Sequence, residues 1–297
     1  MPQTLAPDAF QDHQDPESDE QTQQQKEEKK QEQNQEAKRR EAPSGVVVYK
    51  AILKEGEDEL DRSSSALFWS GLAAGLSMSF SMIGEGLLKA YLPDAEWAKL
   101  IYGFGYSLGF VFVILGRQQL FTENTLTPIL PLLQGRSVEC LKNVARLWSI
   151  VLGANLLGGL LVSLVIAHSG AFEEPVKKAF YDLAQTALEP SWQLILLRGI
   201  FAGWMIALMV WLLPFAQTAR VGVIILVTYF VALGHFSHVI ASSIEVFTHA
   251  AAGHAGWVDV FGHYVLPTLV GNVIGGVTLV AALNHAQVTA GSDDDEI

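Results

Sequence analysis

Six apolar blocks dominate this sequence, and each is long enough to enter a lipid bilayer. Half of the 297 residues are hydrophobic, and they are gathered into these blocks rather than spread at amphipathic spacing. A hydrocarbon core about 30 Å thick requires about 20 apolar residues in a helix. The pattern therefore predicts an all-α integral membrane protein with six passes. The blocks cover approximately residues 66–83, 101–133, 144–167, 191–213, 221–252 and 264–283.

The second and fifth blocks are too long for one straight span. Straight helices of their length would measure about 50 Å at about 1.5 Å per residue. Polar residues interrupt both blocks, as GRQQLFTEN at 116–124 and GHFSH at 234–238. Non-helical backbone at membrane depth persists only where protein or a watery cavity satisfies its hydrogen bonds. We therefore predict two broken helices, with second halves that start near Thr125 and Val239.

Short motifs recur in the same order in the two halves of the chain. GLAAG at 71–75 corresponds to GIFAG at 199–203, and NLLGG from Asn155 corresponds to NVIGG from Asn272. The two asparagines are interpreted as helix-packing residues. With three spans in each half, the second copy is inserted upside down. Inverted repeats with paired broken helices are typical of transporters whose pathway lies between the repeats.

The ends of the chain differ in composition from the spans. Residues 1–44 are rich in Gln, Glu and Lys and predict a disordered cytoplasmic tail, whereas residues 45–63 predict an amphipathic surface helix. Residues 64–287 form the predicted six-helix domain, and residues 288–297 an acidic tail. An even number of spans places both termini on one side. Nine Lys or Arg residues before the first span predict that this side is the cytoplasm.

Composition and motifs argue against several other functions. The net charge of −12 disfavours nucleic acid as a partner. A single cysteine, Cys140, rules out an intramolecular disulfide and a cysteine-based metal cluster, and His249, His254 and His263 have irregular spacing for a metal site. The chain has no nucleophile with its base, no phosphate loop and no redox motif. We therefore expect neither an enzyme nor a bound cofactor or metal.

These motifs together resemble the formate/nitrite transporter family, and most closely its YfdC-type inner-membrane branch. The resemblance rests on LFTENT after the broken second helix, on the lone histidine of SHVIASS, and on the paired NxxGG helices, and it covers about residues 66–287. It implies an aquaporin-like fold of six helices in a 3+3 inverted repeat. It also implies a homopentamer in the bacterial inner membrane, with one pore per protomer for small monovalent anions or their conjugate acids.

By position, the resemblance places the central pore histidine at His238 and the threonine of the second-helix loop at Thr122. Asn124 and Thr125 are further candidates for lining the pore or capping a half-helix. The resemblance also implies narrow apolar constrictions at Tyr106, Phe110, Leu120, Phe121 and Val231. Two family residues are replaced. Ala187 aligns with a lysine outside the pore mouth, and Gly203 with an asparagine that faces the histidine.

The chemistry of an anion pore suits this arrangement. Each half-helix N-terminus carries about half a positive charge, which favours an anion. His238 can titrate near neutral pH, so it could give a proton to a weak-acid anion, which would then cross apolar constrictions as a neutral acid. The alternative is a neutral histidine that only binds backbone freed by the break. His235 is a rival position, expected either in packing or as a hydrogen-bond donor to the groups around the site.

Charged residues near the breaks are expected to form structural pairs. Arg117 and Glu123 bracket the first break, so we expect them to pair with each other or with backbone and hold the loop. Glu85 and Lys89 have the spacing of a favourable helical ion pair. Arg198 and Glu245, both within spans, are available to pair with each other.

The sequence therefore predicts a channel or proton-linked transporter for small monovalent anions. Two alternatives stay open. One is a pore for neutral small solutes. The other is a membrane scaffold with a vestigial pore, in which the charged tail at 1–44 does the work.

Overall fold

The computed structural model describes residues 44–291, which are helical with irregular connections and contain no strand. The predicted N-terminal tail, apart from Ser44, lies outside the described residues, as do residues 292–297 of the predicted C-terminal tail, whereas residues 288–291 of that tail are helical. In chain order, the helices are α1 (Gly45–Leu60), α2 (Ser64–Tyr91), α3 (Ala98–Leu115), α4 (Ile129–Gly135), α5 (Val138–His168), α6 (Glu174–Leu188), α7 (Trp192–Leu212), α8 (Arg220–Leu233), α9 (Ala241–Ala251) and α10 (257–291). Helix α10 is continuous and contains two π-helical segments, Val260–Val265 and Val277–Ala282.

Five helices within residues 44–291 are long and apolar enough to cross a membrane, namely α2, α3, α5, α7 with its 3₁₀ extension, and α10. Large apolar side chains face outward from them, such as Phe104, which is 50% exposed. The fifth predicted block is divided between α8 and α9, which have 14 and 11 residues. Neither is long enough to span a membrane by itself.

Both long blocks are interrupted where the sequence predicts. Helix α3 ends at Leu115, and the chain makes only a 3₁₀ turn at Glu123–Thr125 before α4 begins at Ile129. Helix α8 ends at Leu233 and α9 begins at Ala241. The second halves thus begin a few residues later than predicted.

Two pairs of helices pack with their backbones in close contact. A Cβ atom on Gly75 in α2 would lie 2.2 Å from the carbonyl oxygen of Asn155 in α5. A Cβ atom on Gly203 in α7 would lie at the same distance from the carbonyl oxygen of Asn272 in α10. Glycine is therefore required at both crossings, because any side chain would force the helices apart.

Two further helices cover the ends of this bundle. Helix α1 occupies most of the range predicted for a surface helix, and it buries Tyr49, Ile52, Gly56 and Leu60. A Cβ atom on Gly56 would lie 2.0 Å from the carbonyl oxygen of Thr127, so α1 is pressed against the chain just after the first break. Helix α6 was not predicted as a separate element. It is amphipathic, and its apolar side packs on α2 and α9.

Candidate pore site

The two breaks begin with the same backbone geometry. Arg117 follows α3 with a φ angle of 52°, and His235 follows α8 with a φ angle of 49°. In both, the amide of the next residue donates to the carbonyl five positions back, at 3.0 Å. This is the hydrogen bond of a Schellman helix end, which requires a left-handed residue. Glycine usually occupies that position, so both breaks hold a side chain in a strained conformation.

Asn155 of α5 satisfies the backbone of the first break. Its side-chain amide nitrogen donates to the carbonyl oxygens of Gly71, at 2.7 Å, and Gln119, at 2.9 Å. Its side-chain oxygen accepts from the backbone amide of Phe121 at 2.9 Å. One buried side chain thus joins α2, α5 and the break.

Asn272 of α10 does the same for the second break. Its amide nitrogen donates to the carbonyl oxygens of Gly199, at 2.9 Å, and Ser237, at 2.8 Å, while its oxygen accepts from the amide of Val239 at 2.8 Å. The two asparagines do more than the helix packing expected of them, because they supply partners to backbone that lipid could not satisfy. Their recurring NxxGG motif was the signal in the sequence.

The breaks bring the two principal candidates together. Nε2 of His238 lies 2.8 Å from Oγ1 of Thr122, and both residues are fully buried. Nδ1 of His238 accepts from the backbone amides of Ile240, at 3.3 Å, and Ala241, at 3.1 Å. Since an acceptor nitrogen carries no proton, the ring proton is on Nε2 and is donated to Thr122. The Thr122 hydroxyl keeps its own proton to donate elsewhere.

The neighbouring polar candidates hold the loop. The hydroxyl of Thr125 donates to the carbonyl oxygen of Thr122 at 2.8 Å. The side-chain amide of Asn124 donates to Oε1 of Gln119 at 2.9 Å, and the carbonyl oxygen of Asn124 accepts from the indole of Trp148 at 2.8 Å. Both residues are thus engaged with protein around Thr122.

All five residues predicted to form constrictions are buried, with at most 3% exposed: Tyr106, Phe110, Leu120, Phe121 and Val231. The ring of Phe110 meets His238 edge to face, with centroids 5.0 Å apart. Phe110 also contacts Tyr106, at 5.4 Å between centroids. The polar pair is therefore surrounded by apolar side chains.

Two cavities approach this pair. The α1-side cavity has a volume of about 520 Å³ and is lined by α1, the first break and the end of α7, including Glu123. The α6-side cavity has a volume of about 240 Å³ and is lined by residues from α6, α7 and the second break, including Ser237. Glu123 is adjacent in sequence to Thr122, and Ser237 to His238. Thr122 and His238 themselves line neither cavity, but each is one residue away in sequence from a residue that does.

The expected pairing of Arg117 with Glu123 is wrong. Arg117 forms an ion pair with Glu55 of α1 at 3.3 Å, and Glu123 has no ion pair within residues 44–291. Arg117 has a left-handed backbone conformation, and its side chain contacts α1 instead of the loop that contains Glu123. Glu123 instead lines the α1-side cavity.

Glu59 of α1 is a site residue that sequence reasoning missed. Its carboxylate accepts from Nε2 of Gln119 at 3.0 Å and from the hydroxyl of Thr127. Burial raises the pKa of the Glu59 carboxyl from 4.5 to about 7, against the opposing effect of these two hydrogen bonds. One indication in the sequence that Glu59 could be buried was its position next to apolar residues of the predicted amphipathic helix.

The α6-side cavity contains several charged groups that do not pair as expected. Within the described residues, Glu85 makes no ion pair with Lys89, and Arg198 makes none with Glu245. The ammonium of Lys89 lies 5.8 Å from the ring centre of Tyr102. All four charged residues line this cavity.

The two replaced family positions and the rival histidine have different locations. Ala187 and His235 line the α6-side cavity. A side chain at position 203 would meet the backbone of Asn272 instead of His238. The expectation that position 203 faces the histidine is therefore not met in this packing.

Comparison with known proteins decides the family. The family model described as formate/nitrite transporter matches residues 46–286. The chain belongs to the formate/nitrite transporter family. It is 36% identical over 243 residues to the inner membrane protein YfdC of Escherichia coli strain K12, covering 82% of this chain and 78% of that one. It is also 30% identical over 220 residues to the uncharacterized transporter YrhG of Bacillus subtilis strain 168, covering 71% and 79%.

Solved structures of the formate/nitrite transporter family share the fold. The chain matches an "FNT family ion channel" with a TM-score of 0.69 and 17% identity, over 83% of this chain and 99% of that one. It matches a "pentameric formate channel with formate bound" with a TM-score of 0.62 and 18% identity, over 76% and 98%. The predicted resemblance to the family and the all-helical fold are thereby confirmed.

Proposed function

We propose that this chain is a proton-linked channel or transporter for small monovalent weak-acid anions such as formate or nitrite. The observation that carries the proposal is the buried hydrogen bond between His238 and Thr122, which joins the two matched breaks, with a cavity-lining residue next to each partner in sequence. Membership of a transporter family supports it. The protein would work as a homopentamer in the bacterial inner membrane, with both termini in the cytoplasm. The α1-side cavity would then face the cytoplasm.

The same proposal includes a six-span inverted repeat. The first copy consists of α2, the broken helix α3–α4, and α5, and the second of α7, the broken helix α8–α9, and α10. Matched hydrogen bonds of Asn155 and Asn272, and matched left-handed residues at the breaks, support the equivalence of the copies. Helix α6 connects them.

The site suits an anion that crosses together with a proton. Moving a bare ion into a low-dielectric medium costs on the order of 20 kcal/mol. A neutral acid would therefore pass an apolar constriction, such as the one that contains Phe110, far more readily than its anion would. Thr122, which accepts from His238, has a hydroxyl proton to donate to an oxyanion. A second proton on the His238 ring would displace two backbone donors from Nδ1 and make the ring an acid. That acid could then protonate the anion through Thr122.

Flux into proteoliposomes tests the proposal. We expect formate, nitrite or another short weak acid to enter faster than into empty liposomes, and faster at lower external pH. The transport claim fails if formate, nitrite, acetate, lactate and hydrosulfide all move at the rate of empty liposomes. Flux that ignores both pH and membrane potential would instead identify a pore for neutral solutes. Deleting residues 1–44 should leave the flux intact, whereas a scaffold would lose its partner.

A further inference from the structure

Arg198 is a half-buried cation without a protein partner. It comes from α7 and lines the α6-side cavity. Within residues 44–291 its guanidinium makes neither an ion pair nor a hydrogen bond. Removing a charge from water without a partner is costly, so such a group is stabilised when an anion occupies the cavity.

The other charges of the cavity do not neutralise Arg198. Lys89 is the cation that acts electrostatically on both carboxylates, Glu85 and Glu245. Arg198 acts on neither carboxylate, although it acts on His235 together with Lys89 and Lys99. Arg198 is thus not the cation that offsets the two carboxylates. Thr186, Ser237 and Ser242 also line the cavity.

The chemistry of guanidinium specifies which anion would fit. Its planar fork donates two parallel hydrogen bonds to a group with two oxygens on one atom, whereas an ammonium acts as a point charge. A carboxylate or nitrite has such a pair of oxygens. Hydrosulfide and chloride have a single charged centre and cannot use both arms of the fork in this way.

We propose that Arg198 is a specificity-determining residue that selects two-oxygen anions at the α6-side entrance. This inference rests on the proposed function and adds the class of substrate. Arg198 holds the anion by the fork before the anion reaches Thr122, whose hydroxyl would take over one of the two oxygens. Selection thus occurs at the cavity and proton exchange at the centre.

The test compares Arg198→Lys, Arg198→Ala and the wild type, with formate and hydrosulfide supplied on the α6 side of proteoliposomes. Lys178→Gln is the matched control, because it removes a positive charge that is paired with Asp182 outside the cavity. Loss of a bidentate charge-assisted pair should raise the half-saturating formate concentration roughly tenfold in Arg198→Lys. The same variant should leave hydrosulfide flux unchanged, and Arg198→Ala should weaken both. Size-exclusion profiles should match that of the wild type.

Two results would overturn the inference. One is a Lys variant that transports formate as the wild type does. The other is a Lys variant in which formate and hydrosulfide flux fall by the same factor, which would make Arg198 a simple charge. If the wild type moves no anion, the proposed function fails, and calorimetric titration of purified protein with formate decides the inference separately. Formate binding weakened in Arg198→Lys but not in Lys178→Gln then supports it, and equal or absent binding rejects it.

Discussion

Asn155 and Asn272 make equivalent sets of three hydrogen bonds, Asn155 at the first break and Asn272 at the second. Each donates to the carbonyl of a glycine in a neighbouring helix and to a carbonyl in a break, and each accepts from a break amide two residues further on. Each glycine, Gly71 or Gly199, belongs to the recurring five-residue motif of its half. The shape of both breaks therefore depends on one side chain each.

Replacing either asparagine by leucine should destabilise the protein. In Asn155→Leu the carbonyl of Gln119 and the amide of Phe121 lose their buried partner, at a cost of about 1–3 kcal/mol each. Thermal melting in detergent, followed by size exclusion, measures the effect. Asn284→Leu is the control, because it loses one hydrogen bond within its own helix. Equal melting temperatures for the two variants would show that the three bonds are not decisive.

Substituting either partner of the central hydrogen bond should alter the pH dependence of flux. His238→Ala removes the ring, and Thr122→Val removes the hydroxyl while it preserves the shape. We expect weak-acid flux to fall about tenfold or more in both, since proton relay by a positioned group contributes roughly 10²–10⁴-fold. Thr122→Ser keeps the hydroxyl and should retain most of the flux. A pH profile unchanged in His238→Ala would refute proton linkage through this histidine.

Docking of α1 should weaken as pH rises. The folded protein binds the Glu59 proton more tightly than the undocked helix does, because the pKa of its carboxyl rises from 4.5 to about 7 on burial. Docking is therefore most favourable below about pH 4.5, and it declines between pH 4.5 and about 7, where the Glu59 carboxyl is ionised in the undocked helix but still protonated in the docked one. Hydrogen exchange of the α1 amides, corrected for intrinsic rates, should show more opening at pH 8 than at pH 5.

Glu59→Gln should abolish most of this difference, because glutamine does not titrate and can still bond Thr127. Glu57→Gln is the matched control, since Glu57 is an exposed carboxylate of the same helix. If the opening of α1 in Glu59→Gln depends on pH as it does in the wild type, the pH dependence must come from another titratable group.

The close helix crossing at Gly75 should tolerate no side chain. A methyl group there would overlap the carbonyl of Asn155, so we expect Gly75→Ala to cost about 1–3 kcal/mol. Gly153→Ala is the control on α5, where an added Cβ meets nothing within 4 Å. It should be neutral or stabilising by up to about 1 kcal/mol. Comparing the melting temperatures of the two variants separates the effect of helix packing at Gly75 from the effect of helix propensity, which both substitutions share.

Length and polar interruptions in the sequence were sufficient to predict the two breaks, and repetition drew attention to the two asparagines, although they were interpreted as helix-packing residues. The blocks exceeded the bilayer thickness, and backbone at that depth needs partners. The partner of Arg117 could not be predicted, because Glu55 lies 62 residues earlier in a helix whose docking depends on tertiary contacts. The role of Glu59 was missed for the same reason. Helix α6 was missed because its amphipathic pattern lies between two strongly apolar blocks.

The positions of the two clamping asparagines also constrain how the chain is assembled during synthesis. Residues 119 and 121 are made well before Asn155 leaves the ribosome, and residues 237 and 239 well before Asn272. Until α5 has been added, the first break lacks the side chain that satisfies its backbone and is better placed near water, and the second break waits for α10 in the same way. Each break is therefore completed by a helix that is made after it.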